Sequence, residues 1–172
     1  MENIKNKLTN EQINVVQQIL AGKNVFMTGG GGVGKSYVIR MIYNLLKEQK
    51  KTVAVCAMTG CAAHILDIQG AKTLHAWSGI GKVDGLKTHV LNSIFPHPNL
   101  SFWECKRMYP NLITKTQWFT RSTWSKTDLL IVDEISMASA KLLEILDEMG
   151  RYYRNNKKQP FGGLQEIGRA HV

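Results

Sequence analysis

Acid is what this chain has least of. Against 22 lysines and arginines stand 13 aspartates and glutamates, a net charge of +9. That balance favours a polyanionic partner, nucleic acid being the usual one, although a basic protein without such a partner has the same composition. No apolar run is long enough to span a bilayer. The opening residues, Met1-Glu2-Asn3-Ile4-Lys5-Asn6-Lys7, have no apolar core of a secretion signal. A soluble intracellular protein without a membrane partner is expected, in the nucleus, mitochondrion, cytoplasm or a virus. Cysteine is scarce and odd in number: Cys56, Cys61 and Cys105. Their spacing is not that of metal ligands, even with His64 and His75 following Cys61, so free thiols in a reducing compartment are expected. No internal repeat or low-complexity segment appears. What remains is one domain's worth of chain, 172 residues with an ordinary hydrophobic share of 44%.

The most informative stretch is Thr28-Gly29-Gly30-Gly31-Gly32-Val33-Gly34-Lys35-Ser36. From Gly29 it fits G-x-x-x-x-G-K-[ST], the phosphate-binding loop of P-loop NTPases. Asn24 to Thr28 reads as a short buried strand before it, and Ser36 to Leu46 as the helix after it. Glycines let backbone N–H groups turn inward around phosphate oxygens, and the helix N-terminus adds partial positive charge. Lys35 reaches the β- and γ-phosphates, and the Ser36 hydroxyl is a ligand for Mg²⁺. ATP and Mg²⁺ are the expected cofactors.

The partner that such a loop requires lies downstream. Leu129-Leu130-Ile131-Val132 is an apolar strand that delivers Asp133 and Glu134. Asp133 is placed to hold Mg²⁺ through water, and Glu134 to orient and deprotonate the attacking water. Lys35, Asp133 and Glu134 are therefore the candidate catalytic residues. Thr52 to Ala57 reads as another buried strand, and apolar strands alternating with helices predict a mainly parallel sheet covered on both faces.

Other stretches carry two readings each. Thr9 and Gln12 have capping-box spacing at the start of a helix that Gly22 would stop, and Gln12 also has the donor and acceptor that match adenine. Thr59 lies just after the Thr52–Ala57 strand, at a carboxyl end where ligands bind in α/β sheets, and His75 follows in the next stretch; local capping and core packing are the other reading of both. Residues 82 to 126 hold Pro96, Pro98, Pro110, Trp103, Trp118 and Trp124 among scattered basic residues. They read as an irregular insertion whose aromatics close a satellite core, or as a grip for single strands. A helix over 139 to 154 ends in the basic run 151 to 158, a solvated end. Gln159 to Gln165 is a turn leading toward a further strand.

Together these motifs resemble the Pif-type (petite integration frequency) DNA helicases of superfamily one, relatives of RecD. The matching stretches are Leu8 to Gln12, Gly29 to Ser36, Thr59-Gly60-Cys61-Ala62-Ala63, Thr73-Leu74-His75-Ala76-Trp77-Ser78-Gly79-Ile80-Gly81, Leu130 to Met137 and Pro160-Phe161-Gly162-Gly163-Leu164-Gln165. The Thr73–Gly81 and Asp133–Met137 stretches are the specific ones. The resemblance implies a three-layer, RecA-like P-loop α/β domain and a parent that moves 5′ to 3′ on single-stranded DNA, coupled to ATP hydrolysis. It implies work at duplex junctions in repair, recombination or telomere maintenance. It makes Gln12 the adenine reader beside the loop residues Gly29, Gly30, Gly31, Gly32, Val33, Gly34, Lys35 and Ser36. It makes Thr59, Gly60 and His75 candidates for the DNA path, and Trp124 the tryptophan often found before the acidic strand. A non-translocating P-loop ATPase and a nucleotide- or DNA-binding piece without catalysis are the alternatives.

The likeness stops at Gln165. The closing Glu166-Ile167-Gly168-Arg169-Ala170-His171-Val172 matches one reading frame of a common sequencing adapter and is expected to be foreign, a divergent natural end being the alternative. The family places a strand there, between the P-loop strand and the acidic strand. With Gly168, Arg169 and His171 these residues lack a continuous apolar run. The slot is expected to be poorly filled. The 172-residue chain, a C-terminally truncated first motor domain, is then expected to be poorly stable and inactive as a helicase alone.

Overall fold

The structure is a computed structural model that describes residues 8–80, 87–97 and 99–170. Gly81, Pro98, His171, Val172 and the opening seven residues, named above, lie outside the described residues. The chain divides into two units, Met1–Lys72 with Asp128–Met137 and Gln165–Val172, and Thr73–Thr127 with Ala138–Leu164.

The first unit opens with α1 (Asn10–Leu20), capped reciprocally by Thr9 and Gln12 as their spacing predicts. β1 (Val25–Met27) leads into the glycine loop and α2 (Lys35–Glu48). β2 (Val53–Ala57), α3 (Gly60–Ile65) and the two-residue β3 (Lys72–Thr73) follow. β4 (Leu129–Asp133) and β5 (Gln165–Arg169) return from later in the chain. The sheet order is β1-β5-β4-β2-β3, and β1–β5, β5–β4 and β4–β2 all pair in parallel. All five residues of β4 are buried, as an interior strand of a parallel sheet should be. Val16, Ile39, Ile42, Val55, Ile131 and Ile167 meet in one core that fastens α1 and α2 to the strands. The expected α/β class and parallel sheet are both observed.

β5 corrects the expectation of a poorly filled slot. It lies between β1 and β4, with Ile167 opposite Val25 on one side and Ile131 on the other. Ile167 is fully buried. Its polar neighbours are satisfied locally: the Gln165 amide donates to the carbonyls of Ile19 and Lys23, and the Glu166 N–H donates to Asn24 Oδ1 at 2.9 Å. Gly168 fits a tight place, since a Cβ there would come within 3.1 Å of side-chain atoms of both Ile135 and Phe26. A continuous apolar run is unnecessary where one isoleucine meets the core and Arg169 is paired with Asp133.

The second unit holds α4 (Leu74–Ser78), α5 (Lys87–Ile94), α6 (Phe102–Met108), α7 (Lys115–Lys126) and α8 (Ala140–Tyr153). The stretch expected to be irregular thus carries three helices among its described residues. Two capping boxes, Ser101 with Glu104 and Thr114 with Gln117, start α6 and α7. The unit has an aromatic interior. Trp124 is fully buried, lies 4.6 Å from Trp77 between ring centroids, and donates through Nε1 to the Ser78 carbonyl at 3.0 Å. Phe95 stacks on Tyr152 at 4.2 Å, and Phe102 lies 6.2 Å from Tyr153. The basic run after α8 is only partly a solvated end: Tyr152 and Tyr153 are buried, and Arg154 donates to the carbonyls of Trp124, Thr127 and Gly162.

Candidate nucleotide site

The loop from Gly29 to Ser36 sits between the end of β1 and the start of α2, so its N–H groups and the helix N-terminus address one volume. Gly34 is the N-cap of α2 at φ 83, and no side chain caps the helix. The first helical N–H groups are left for a ligand. Only glycine suits position 34: beyond the left-handed φ, a Cβ would come within 2.8 Å of Gln12 Nε2. Lys35 is buried and folds back on the loop, donating to the carbonyl of Gly29 and, at 2.7 Å, to that of Gly30. An ammonium held by two carbonyls is a stored cation, ready to exchange them for phosphate oxygens.

Gln12 forms the cap its spacing predicts and one further bond. Its Oε1 accepts from the Thr9 N–H at 3.1 Å, and its Nε2 donates to the Val33 carbonyl at 3.0 Å. The amide therefore ties α1 to the phosphate loop. Reading adenine would require it to exchange these bonds.

Opposite the loop, β4 delivers Asp133, which is buried and whose Oδ1 accepts the Glu134 N–H at 2.9 Å. Glu134 sits at φ 54, left-handed backbone that costs of order 1–3 kcal/mol for a residue with a side chain. Such strain concentrates at working sites. No residue pattern around Glu134 announces it.

Arg169 completes the cluster, and sequence reasoning missed it. It is buried at the end of β5, its Nε 2.9 Å from Asp133 Oδ1 and its NH1 donating to Ser36 Oγ at 2.7 Å. Its NH2 lies 3.9 Å from Glu134 Oε1. Ser36 and Asp133, the two expected Mg²⁺ donors, thus converge on one cationic group. Their oxygens are the hard donors that Mg²⁺ takes, and the guanidinium stands in for a cation between them. The donor set fits the metal, and Arg169 competes for the same place.

The candidate DNA contacts are placed separately. Thr59 and Gly60 are exposed at the start of α3, where Thr59 Oγ1 accepts the Ala62 N–H at 3.2 Å. His75 is half-buried on α4 of the second unit, and Thr73 caps that helix. The capping reading of Thr59 is observed, and it leaves the residue accessible.

A parallel α/β sheet with a phosphate loop after its first strand and an Asp-Glu pair after an interior strand defines a P-loop NTPase domain of RecA-like fold. The family model described as AAA domain matches residues 12–154, and the chain belongs to that family, among its Pif-type members. It is 38% identical over 161 residues to the ATP-dependent DNA helicase PIF1 of Candida albicans, covering 93% of this chain and 15% of that protein. It is 35% identical over 163 residues to the ATP-dependent DNA helicase RRM3 of Saccharomyces cerevisiae, covering 93% of this chain and 19% of that protein. Among solved structures, the Pif1 helicase of Candida albicans superposes with a TM-score of 0.72 at 34% identity, covering 95% of this chain and 32% of the other. Bacteroides Pif1 bound to single-stranded DNA gives 0.66 at 28% identity, with 95% and 32% covered. The chain thus spans under a quarter of the length of these curated relatives. Among the described residues no helix is long and apolar enough to cross a membrane.

Proposed function

We propose that residues 1–165 are part of the first motor domain of an ATP-dependent DNA helicase that moves 5′ to 3′ on single-stranded DNA, a soluble intracellular protein. The observation that carries this reading is the glycine loop that ends at the N-terminus of α2, on a sheet whose interior strand β4 delivers Asp133 and then Glu134. The named activity of the relatives supports it, as does a Bacteroides Pif1 neighbour in complex with ADP-AlF4, at 27% identity and a TM-score of 0.66.

In this reading the loop N–H groups from Gly29 to Ser36 receive the phosphates. Lys35 exchanges the carbonyls of Gly29 and Gly30 for the γ-phosphate. Gln12 orients the adenine from its place against Val33. Ser36 and Asp133 are the residues that would hold Mg²⁺, which would neutralise phosphate charge. Glu134 orients and deprotonates the attacking water. Thr59 and Gly60 of the first unit are the candidate contacts to the DNA strand there, and His75 is the candidate contact in the second unit.

The test is ATP hydrolysis by a longer protein carrying this sequence. DNA should stimulate turnover, and Glu134→Gln should keep nucleotide binding while lowering turnover by roughly 10²- to 10⁴-fold. Wild-type turnover by that variant would remove the base assignment. Turnover indifferent to DNA would favour a non-translocating ATPase.

A further inference from the structure

The second unit carries a surface that the nucleotide site does not use. α6 and α7 bury Phe102, Cys105, Thr120 and Trp124, and turn Trp103 and Trp118 outward at 44% and 42% exposure. The two indoles meet edge to face with centroids 6.1 Å apart. Cations are built onto them. Lys106 Nζ lies 4.4 Å from the Trp118 centroid, and Arg121 Cζ lies 4.3 Å from that of Trp103. The Arg121 Nε is buried without a hydrogen-bond partner. Beside this pair is a cleft of about 320 Å³, lined by Lys106, Pro110, Ile113, Thr114, Lys115 and Trp118. That volume is at the small end of the range for ligand clefts.

Charge selects the occupant. Between Lys87 and Lys126 there are six lysines and arginines and a single acid, Glu104. That acid is turned to its own helix, accepting the Ser101 N–H at 2.8 Å. The surface thus offers indole faces and cations with no free carboxylate among these residues to repel a phosphate. Acidic partners that are not planar would leave the indoles unused, and apolar partners would bury the lysines. An unpaired nucleotide uses both, by stacking its base and neutralising its phosphate.

We propose that the cleft of Trp118, Lys106 and Lys115, with Trp103 beside it, is a second contact for single-stranded DNA, separate from the Thr59 and Gly60 surface of the first unit. A base stacks on Trp118 and the adjacent phosphates lie against Lys106 and Lys115. Stacking without base-edge readout makes the contact tolerant of sequence and intolerant of duplex, whose bases are already stacked. The inference rests on the DNA-binding part of the proposed function.

The experiment titrates the full chain with labelled oligothymidylate, reading anisotropy and intrinsic tryptophan emission together. Trp77 and Trp124 are buried, so quenching by DNA reports Trp103 and Trp118. Quenching is expected, with Trp118→Leu weakening affinity about 5- to 150-fold and Trp118→Tyr restoring most of it. Lys106→Gln with Lys115→Gln should lower the slope of log K against log salt by about 1.4. Duplex of the same length should bind without quenching. Binding with unchanged tryptophan emission and an unaffected Trp118→Leu variant would overturn the proposal and leave the Thr59 and Gly60 path standing. No binding of single strands at all would overturn both. Should Trp118→Leu unfold, the wild-type quenching and the double lysine variant still decide.

Discussion

Replacing Arg169 with methionine separates two descriptions of the nucleotide site. Methionine keeps most of the side chain's length and removes its charge. The pair it breaks is buried, with Arg169 and Asp133 side chains 7% and 5% exposed and 2.9 Å apart. Removing one partner of a buried ion pair costs about 3–5 kcal/mol, because the remaining charge is left without its counter-ion. For a chain of this size that is a drop of roughly 6–20 °C in melting temperature. A divalent cation is the natural replacement between Asp133 and Ser36, and at ten times its Kd it returns about 1.4 kcal/mol. The assay is a thermal melt in EDTA and in Mg²⁺. The wild type should melt alike in both, since its own guanidinium holds the place. Arg169→Met should melt far lower in EDTA and recover part of the loss in Mg²⁺. A variant that melts with the wild type in EDTA would show that the buried pair is not present. A wild type that gains as much from Mg²⁺ as the variant would show that Arg169 does not compete with the metal.

Thiol chemistry should distinguish the cysteines. Cys61 is exposed and should react promptly with a disulfide reagent, whereas Cys56 and Cys105 are buried and should wait for unfolding. Burial pushes the Cys56 thiol up to about 12 from an ordinary 9.0, so two fast thiols in native buffer would contradict the packing. The same burial predicts alkaline instability, measurable as a denaturation midpoint against pH. A thiol whose folded pKa is raised keeps its proton in the native state while the unfolded chain loses it. Stability is therefore full below about pH 9 and falls as pH rises toward 12. Burial also raises Tyr152 and Tyr153, which steepen the fall above the ordinary tyrosine range. A midpoint that does not move through that window would refute this.

The first unit was largely legible because its signals are local. The phosphate loop, the apolar β2 and β4 and the Thr9–Gln12 box each announce their own conformation, and each is found where predicted. β5 was misjudged because its fitness is tertiary. Only Ile167 reads as a buried strand residue. That Gly168 lies under Ile135 and Phe26, and that Arg169 is neutralised by Asp133, depends on residues far away in sequence. The expectation of poor stability loses its premise with that strand in place. α6 and α7 did carry readable signals, Ser101 with Glu104 and Thr114 with Gln117, but prolines and scattered aromatics between them obscured the helical period. Gln12 shows the converse case. Its cap was readable from spacing, and its bond to Val33 was not.

Every role assigned to Lys35, Ser36, Asp133 and Glu134 depends on the loop from Gly29 to Ser36 being a phosphate site in this chain. The direct measurement is calorimetric titration of the 172-residue chain with ADP, beside the Lys35→Ala variant. Lys35 should supply charge-assisted bonds to phosphate worth about 1.5–3 kcal/mol, so the variant should bind roughly 10- to 150-fold more weakly. Saturable binding that weakens in this way is the predicted result. Equal affinity in the folded variant, or no binding by the folded wild type, would contradict it.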